Sequence, residues 1–274
     1  TGFNIGPIPW EFVYKPEDHD NGTKTFLGTT GNLNGEDIID IILKQPACAS
    51  FITRHLYNFF VADEPEVPKW PNEPPQDPQA VELLSKIFVN SGYEIKPVLR
   101  AMFKANFFKK AVYKKVKSPI EVVIGTLKLT GDLTEPDPRW HQVAGAPASM
   151  GQDLMNPPSV EGWHTGKEWI NSGSLINRVN FTVDRLRNTD LPGVRIIIDR
   201  ISQNSKSSSP ESIVDCCLEE LGSPQIETDT YKELISTIKS KRPLQNHNTT
   251  EPEFAHLVSN ILSLIAGTTE YQFC

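Results

Sequence analysis

Near the start of the chain lies a run of side chains able to do chemistry, Asp18-His19-Asp20, followed by Asn21-Gly22. A histidine beside carboxylates has the donors for a metal ligand pair or an acid/base couple. The same residue types also build turns, because Asp and Asn side chains bond their own backbone and Gly accepts positive φ. Turn chemistry is the plainer reading. A metal centre would need further ligands, and although His141 and His164 exist, no spacing links them to His19. No Cys/His spacing suits zinc either. The sequence therefore predicts no metal, names no cofactor and assigns no catalytic residue.

Other candidates are binding residues. In the segment Asn156–Trp169, Pro157 and Pro158 fix φ, Gly162 and Gly166 relax it, and Trp163 and Trp169 offer flat faces with one N–H each. Such a loop can be rigid without being helical. Its tryptophans and His164 either face a partner or plug the helices around them. Arg54 and Arg178 sit on helices that are apolar on one face, where a guanidinium binds an anion or pairs with a carboxylate; structural pairing is the commoner outcome. Lys104, Lys109, Lys110, Lys114, Lys115 and Lys117 alternate with Phe107, Phe108 and Tyr113. That stretch reads as a solvated lysine face or as a contact for an anionic polymer or membrane surface.

These residues must be held by helices, given the apolar spacing. Phe51, Ile52, His55, Leu56, Phe59 and Phe60 form a helical stripe behind Pro46. Further helices are predicted from Asn34, from Asp77-Pro78, over Ile95–Phe108, from the Ser118-Pro119-Ile120-Glu121 capping box to Thr130, and over Val143–Leu154. Beyond the tryptophan loop they are predicted over Leu175–Arg187, Val194–Gln203, Ser209-Pro210 to Leu221, Thr228–Ser240 and Thr250–Ile265. Ser202–Ser209 and Pro243–Thr250 read as polar connectors. The one β signal pairs Phe12–Tyr14 with Thr25–Leu27 across the Asp18–Gly22 turn. The expected fold is mainly α, an irregular multi-helix globular domain with a small N-terminal β-hairpin-like element. Its expected parts are a β-containing segment at 1–33, a main helical domain at 34–190 that carries the loop 156–169, and a helical subdomain at 191–274.

The chain has 274 residues, 27 Lys and Arg against 34 Asp and Glu, and a formal charge of −7. That balance argues against nucleic acid as a partner, since phosphate neutralisation needs a basic surface. No apolar run approaches the roughly 18 to 20 residues of a membrane span. The start at Thr1, with neither Met nor leader, reads as a processed or excised piece. Cys216 and Cys217 are adjacent on a helix and diverge by about 100°, and with Cys48 and Cys274 they leave the disulfide state open. Walker A, G-x-S-x-G, H-E-x-x-H and dinucleotide motifs are all lacking.

Several blocks, taken in order, are those of a known family. They are Thr1-Gly2-Phe3 with Phe12, His19-Asp20 and Lys24 to Gly28; Pro46 to Ala49 with Arg54-His55-Leu56 and Phe59-Phe60; Tyr93 to Lys96 with Leu99-Arg100 and Phe107-Phe108. Gly151-Gln152, Pro157-Pro158, Gly162-Trp163, Trp169 and Arg178 follow, then Gly267 to Gln272. The set resembles the C-terminal part of bacterial proteins in domain-of-unknown-function family 1800. Gln45 stands where that family usually has His, and Thr268-Thr269 where it has Ser-Pro. The resemblance implies a largely helical, commonly exported protein, often encoded beside a second exported family, and supplies no catalytic residues. The expected function is an extracytoplasmic (periplasmic, cell-surface or secreted) interaction or scaffold domain, whose partner is a protein or cell-surface polymer, including a neighbouring exported protein. The alternative is a hydrolase or metal-dependent enzyme using His19 and Asp20 with His164 or Arg178.

Overall fold

Two short antiparallel hairpins open the chain, and the reason is local. Leu27 and Gly28 both take positive φ, 44° and 82°, the pair required by a two-residue type I′ turn. That turn joins β3 (Lys24–Phe26) to β4 (Thr29–Gly31). The strand at 24–26 is thereby committed to its own neighbour, and the predicted pairing with Phe12–Tyr14 does not form. Instead β2 (Phe12–Tyr14) pairs with β1 (Phe3–Ile5), Asn4 opposite Val13. The computed structural model describes residues 2–163, 165–204, 209–241 and 251–274. They form two compact units, 1–110 and 111–274.

In the first unit α1 (Gly35–Leu43) starts from a full capping box: the Asn34 side chain accepts from Asp37 N–H while the Asp37 carboxylate accepts from Asn34 N–H. The helix α2 (Pro46–Phe60) buries Ala49, Thr53, Arg54 and Tyr57. It packs along α3 (Pro78–Asn90), where the Thr53 and Ser85 hydroxyls meet at 2.8 Å. The single helix expected over Ile95–Phe108 is two, α4 (Ile95–Lys104) and α5 (Asn106–Lys109), because Ala105 is extended at ψ 151°. After the break the Phe107 ring stands 6.1 Å from Tyr57, and the Phe108 ring 5.1 Å from Phe103.

The second unit begins with α6 (Pro119–Thr130), capped as expected by Ser118 and Glu121 and ended by left-handed Gly131. The helix expected over Val143–Leu154 is also broken, into α7 (Trp140–Ala144) and α8 (Ala146–Ser149). Pro147 has no N–H to continue α7, and Gly151 turns the chain at φ 100°. After the tryptophan loop and a 3-10 helix (Gly166–Ile170) come α9 (Ser172–Leu186), α10 (Pro192–Asn204), α11 (Pro210–Glu220), α12 (Thr228–Lys241) and α13 (Glu251–Ala266). The core lies among these five, on Leu186, Ile197, Ile213, Ile238, Ile261 and Leu262. Gly193 lets α10 begin directly against the end of α6: a Cβ there would lie 2.3 Å from the Leu129 carbonyl oxygen. The expected connectors Ser202–Ser209 and Pro243–Thr250 fall largely outside the described residues. Among the described residues no disulfide joins Cys48, Cys216 or Cys217 to another cysteine.

Candidate functional site

In the first unit His19 and Asp20 are held by their own loop. Asp20 Oδ1 accepts the Gly22 N–H at 2.8 Å. Lys24 reaches back to the Asp20 carbonyl oxygen and, at 3.1 and 3.2 Å, to the Gly22 carbonyl and Asn32 Oδ1. The Gly22 N–H, then the Lys24 charge, hold the Asp20 carboxyl below its ordinary range. His19 Nδ1 lies 3.1 Å from Asn21 Oδ1, Nε2 3.4 Å from the Leu33 carbonyl oxygen, and the ring 6.1 Å from Tyr14. Both imidazole nitrogens are thus engaged locally, and Asp20 makes the turn that its type and spacing allow. No group of three metal-ligating side chains gathers anywhere among the described residues.

Arg54 is buried and fully engaged. Its Nε donates to Glu64 Oε2 at 2.8 Å, with Nη2 2.7 Å from the same oxygen. Nη1 and Nη2 also donate to the carbonyls of Glu73 and Pro74, and the guanidinium lies 4.4 Å above the Trp70 ring. The Trp70 ring packs tilted against His55, with centroids 4.5 Å apart, and sends its N–H to the Pro65 carbonyl at 2.7 Å. The proline-rich stretch between α2 and α3 is therefore clamped onto α2 from inside, and burial pushes the His55 pKa down. The carboxylate partner of Arg54, Glu64, is not signalled by helical spacing, because it lies in that stretch beyond the apolar stripe.

Arg178, on α9, is fully buried, and among the described residues its hydrogen-bond acceptors are neutral. Nε donates to Gln272 Oε1 at 3.1 Å and Nη2 to the Lys117 carbonyl at 2.6 Å; Nη1 is buried without a hydrogen-bond partner. Burial pushes its pKa down to about 10, against the pull of Glu121. The arginine ties α9 to an antiparallel contact in which Lys115 and Cys274 exchange backbone hydrogen bonds and Val116 faces Phe273. It works as a buried bracket rather than as an exposed anion site.

The tryptophan loop divides in two. Trp169 is buried, and Ser174 Oγ donates to its carbonyl at 2.7 Å, so it plugs the start of α9. Trp163 is half-buried, with its N–H on the Asp153 carbonyl at 3.0 Å. His164 lies outside the described residues. His19 and Asp20 belong to the first unit and Arg178, Trp163 and Trp169 to the second. Met155 and Val160 beside Trp163 are 92% and 106% exposed.

From Leu154 the wall of an apolar groove begins. Its floor is one stripe of α6, Ile120, Val123, Ile124 and Leu127, and its far side is Trp140, Val143 and Pro147. Lys128 and Asp132 supply charge at the margin. The groove offers about 430 Å³, within the usual range of ligand sites. The opposite stripe of α6, Val122 and Thr126, is buried. A sequence signal for the groove exists: between Ile120 and Leu129 the apolar residues are interrupted by Glu121 and Lys128 on one side and cover a wider arc than one buried face requires.

Lys117 belongs by spacing to the run of solvated lysines, yet it has withdrawn from that face. Its Nζ donates to the Tyr271 carbonyl at 2.7 Å and stands 3.7 Å above the Tyr271 ring. It lines a second cavity, of about 170 Å³, together with Glu121, Gly125, Leu129, Glu220 and Leu221.

Among known proteins, the sequence model of the family described as "Protein of unknown function (DUF1800)" matches residues 1–273. No curated protein and no solved structure matches the chain.

Proposed function

We propose that this chain, which belongs to the DUF1800 family, is an exported interaction domain whose second unit holds a partner protein in the groove along α6. The observation that carries this reading is a helix with apolar side chains on both faces: Val122 and Thr126 are buried on one, and on the groove face Val123 is buried while Ile124 stands open. Ile124 and Trp140 stand 42% and 51% exposed, and large apolar side chains concentrated in one concavity mark an interaction site. The floor residues recur at i, i+3, i+4 and i+7, so the complementary occupant is the apolar face of an amphipathic helix. Trp163 adds a flat edge through Asp153 and Leu154, and keeps part of the tryptophan loop on the interaction surface. The location outside the cytoplasm rests on the family's common export. No helix among the described residues is long and apolar enough to cross a membrane.

The test is a photo-crosslinking amino acid at position 124, with the 49%-exposed Ile196 as control site. A protein cross-link at 124, recovered from the extracytoplasmic fraction, absent at 196 and abolished by Leu127→Glu in a folded chain, is the expected result. Equal cross-linking at both sites, or none, refutes the groove. The hydrolytic alternative draws less support: the Asp20 carboxylate serves its own turn, and Arg178 is sealed in the interior.

A further inference from the structure

We propose that Lys117 is an imine-forming amine, and that the cavity it lines takes a small uncharged aldehyde. The site stands apart from the α6 groove and does not depend on it. Lys117 immediately precedes the Ser118 cap of α6, and its backbone is fixed from two sides: its N–H donates to the Gln272 carbonyl at 2.9 Å, and its carbonyl accepts from Arg178. The side chain is thereby laid across Tyr271, at the wall of the cavity. An amine held in one direction at the wall of a pocket has already lost the rotamer freedom that a surface lysine keeps, which is what positions a nucleophile.

The chemistry of the walls selects the ligand. Val122, Gly125, Leu129 and Leu221 are apolar, while Glu121 and Glu220 are the acidic members. Two carboxylates repel an anion, and Glu220 is already engaged by Arg200 at 3.0 Å. Among carbonyl compounds the walls therefore favour a neutral one over an anionic one. A cavity of about 150 Å³ holds a benzene ring, so the roughly 170 Å³ here admits an aldehyde up to about the size of benzaldehyde.

The amine's protonation favours the same reading. Burial pushes the Lys117 pKa down to about 8, with Cys274 and Glu121 pulling upward and Arg178 adding to the fall. A large share of Lys117 is then neutral near pH 8, whereas an ordinary lysine is almost wholly charged. In the reaction the Nζ lone pair adds to the carbonyl carbon, and the oxygen takes the proton that nitrogen sheds. The carbinolamine hydroxyl then takes a second proton, from solvent, and leaves as water, which leaves a protonated C=N bond. Borohydride-type reductants deliver hydride to that carbon and fix the adduct as a secondary amine.

The experiment treats the folded chain briefly with benzaldehyde and sodium cyanoborohydride at pH 7.5, and maps benzylated lysines by peptide mass spectrometry. Lys117 is expected to exceed the other lysines by about tenfold or more, an excess that shrinks toward pH 10.5. Labelling of Lys117 no faster than that of exposed Lys104 and Lys128 overturns the proposal. Gly125→Leu tests the cavity separately, since a Cβ at Gly125 meets nothing within 4 Å. It should cut labelling of Lys117 at least about fivefold and leave the other lysines unchanged; undiminished labelling excludes the cavity as the binding place. If that variant fails to fold, benzyl alcohol, an unreactive occupant of matching size, should protect Lys117 in the native chain. Failure to protect likewise excludes the cavity.

Discussion

Two arginines on comparable helical faces met different fates, and their partners explain why. Arg54 found Glu64, which is itself bound by the Gln76 N–H at 2.9 Å. Arg178 found only neutral acceptors. Removing one member of a buried pair leaves an uncompensated charge, so Glu64→Ala should destabilise the fold by about 3–5 kcal/mol, read from urea unfolding. Conversion to a matched apolar pair should cost far less. Lys117 gives a pH prediction of definite sign. Its folded pKa of about 8 lies below the ordinary lysine value of 10.5. Below pH 8 both states hold the proton and burial of the charge opposes folding in full; that penalty fades as pH rises from 8 to 10.5. Cys217, whose thiol burial pushes upward from 9.0, acts in the opposite sense at the alkaline end. The comparison is therefore with Lys117→Met: the wild type should gain on the variant between pH 8 and 10.5, measured by melting temperature.

At the scale of elements, capping chemistry is the most legible part of the sequence. Asn34, Asp77, Ser118 and Ser209 each cap the helix expected of them, because the cap is a contact between near neighbours. Expectation and structure part where distant or backbone terms decide. Ala105 carries no signal of its extended conformation, and no alternation rule reveals that Leu27 accepts positive φ. The apolar second face of α6 is written in the sequence, while the cavity beside it depends on Tyr271 and Leu221, remote along the chain. Gly125 sits exposed in the middle of α6 with open space where a Cβ would go. Gly125→Ala should therefore raise stability by up to about 1 kcal/mol, seen as a later urea midpoint.

On the scale of the whole molecule, mainly helical architecture follows from composition and periodicity, but the division at 110/111 does not. Among the candidate residues, type and spacing pick out the ones that matter for structure, Arg54, Arg178 and Trp169, and miss Lys117, whose neighbours hide it in a basic run. The bracket at Arg178 also sets an order of events during synthesis. The Lys117 carbonyl precedes Arg178 in the chain, but its other partner, Gln272, lies 94 residues further along, so a ribosome-bound chain carries the Arg178 Nε without that acceptor through the making of α10 to α13. Until residue 272 emerges, α9 is held by one half of its bracket, and the other half closes only after α13 has been made.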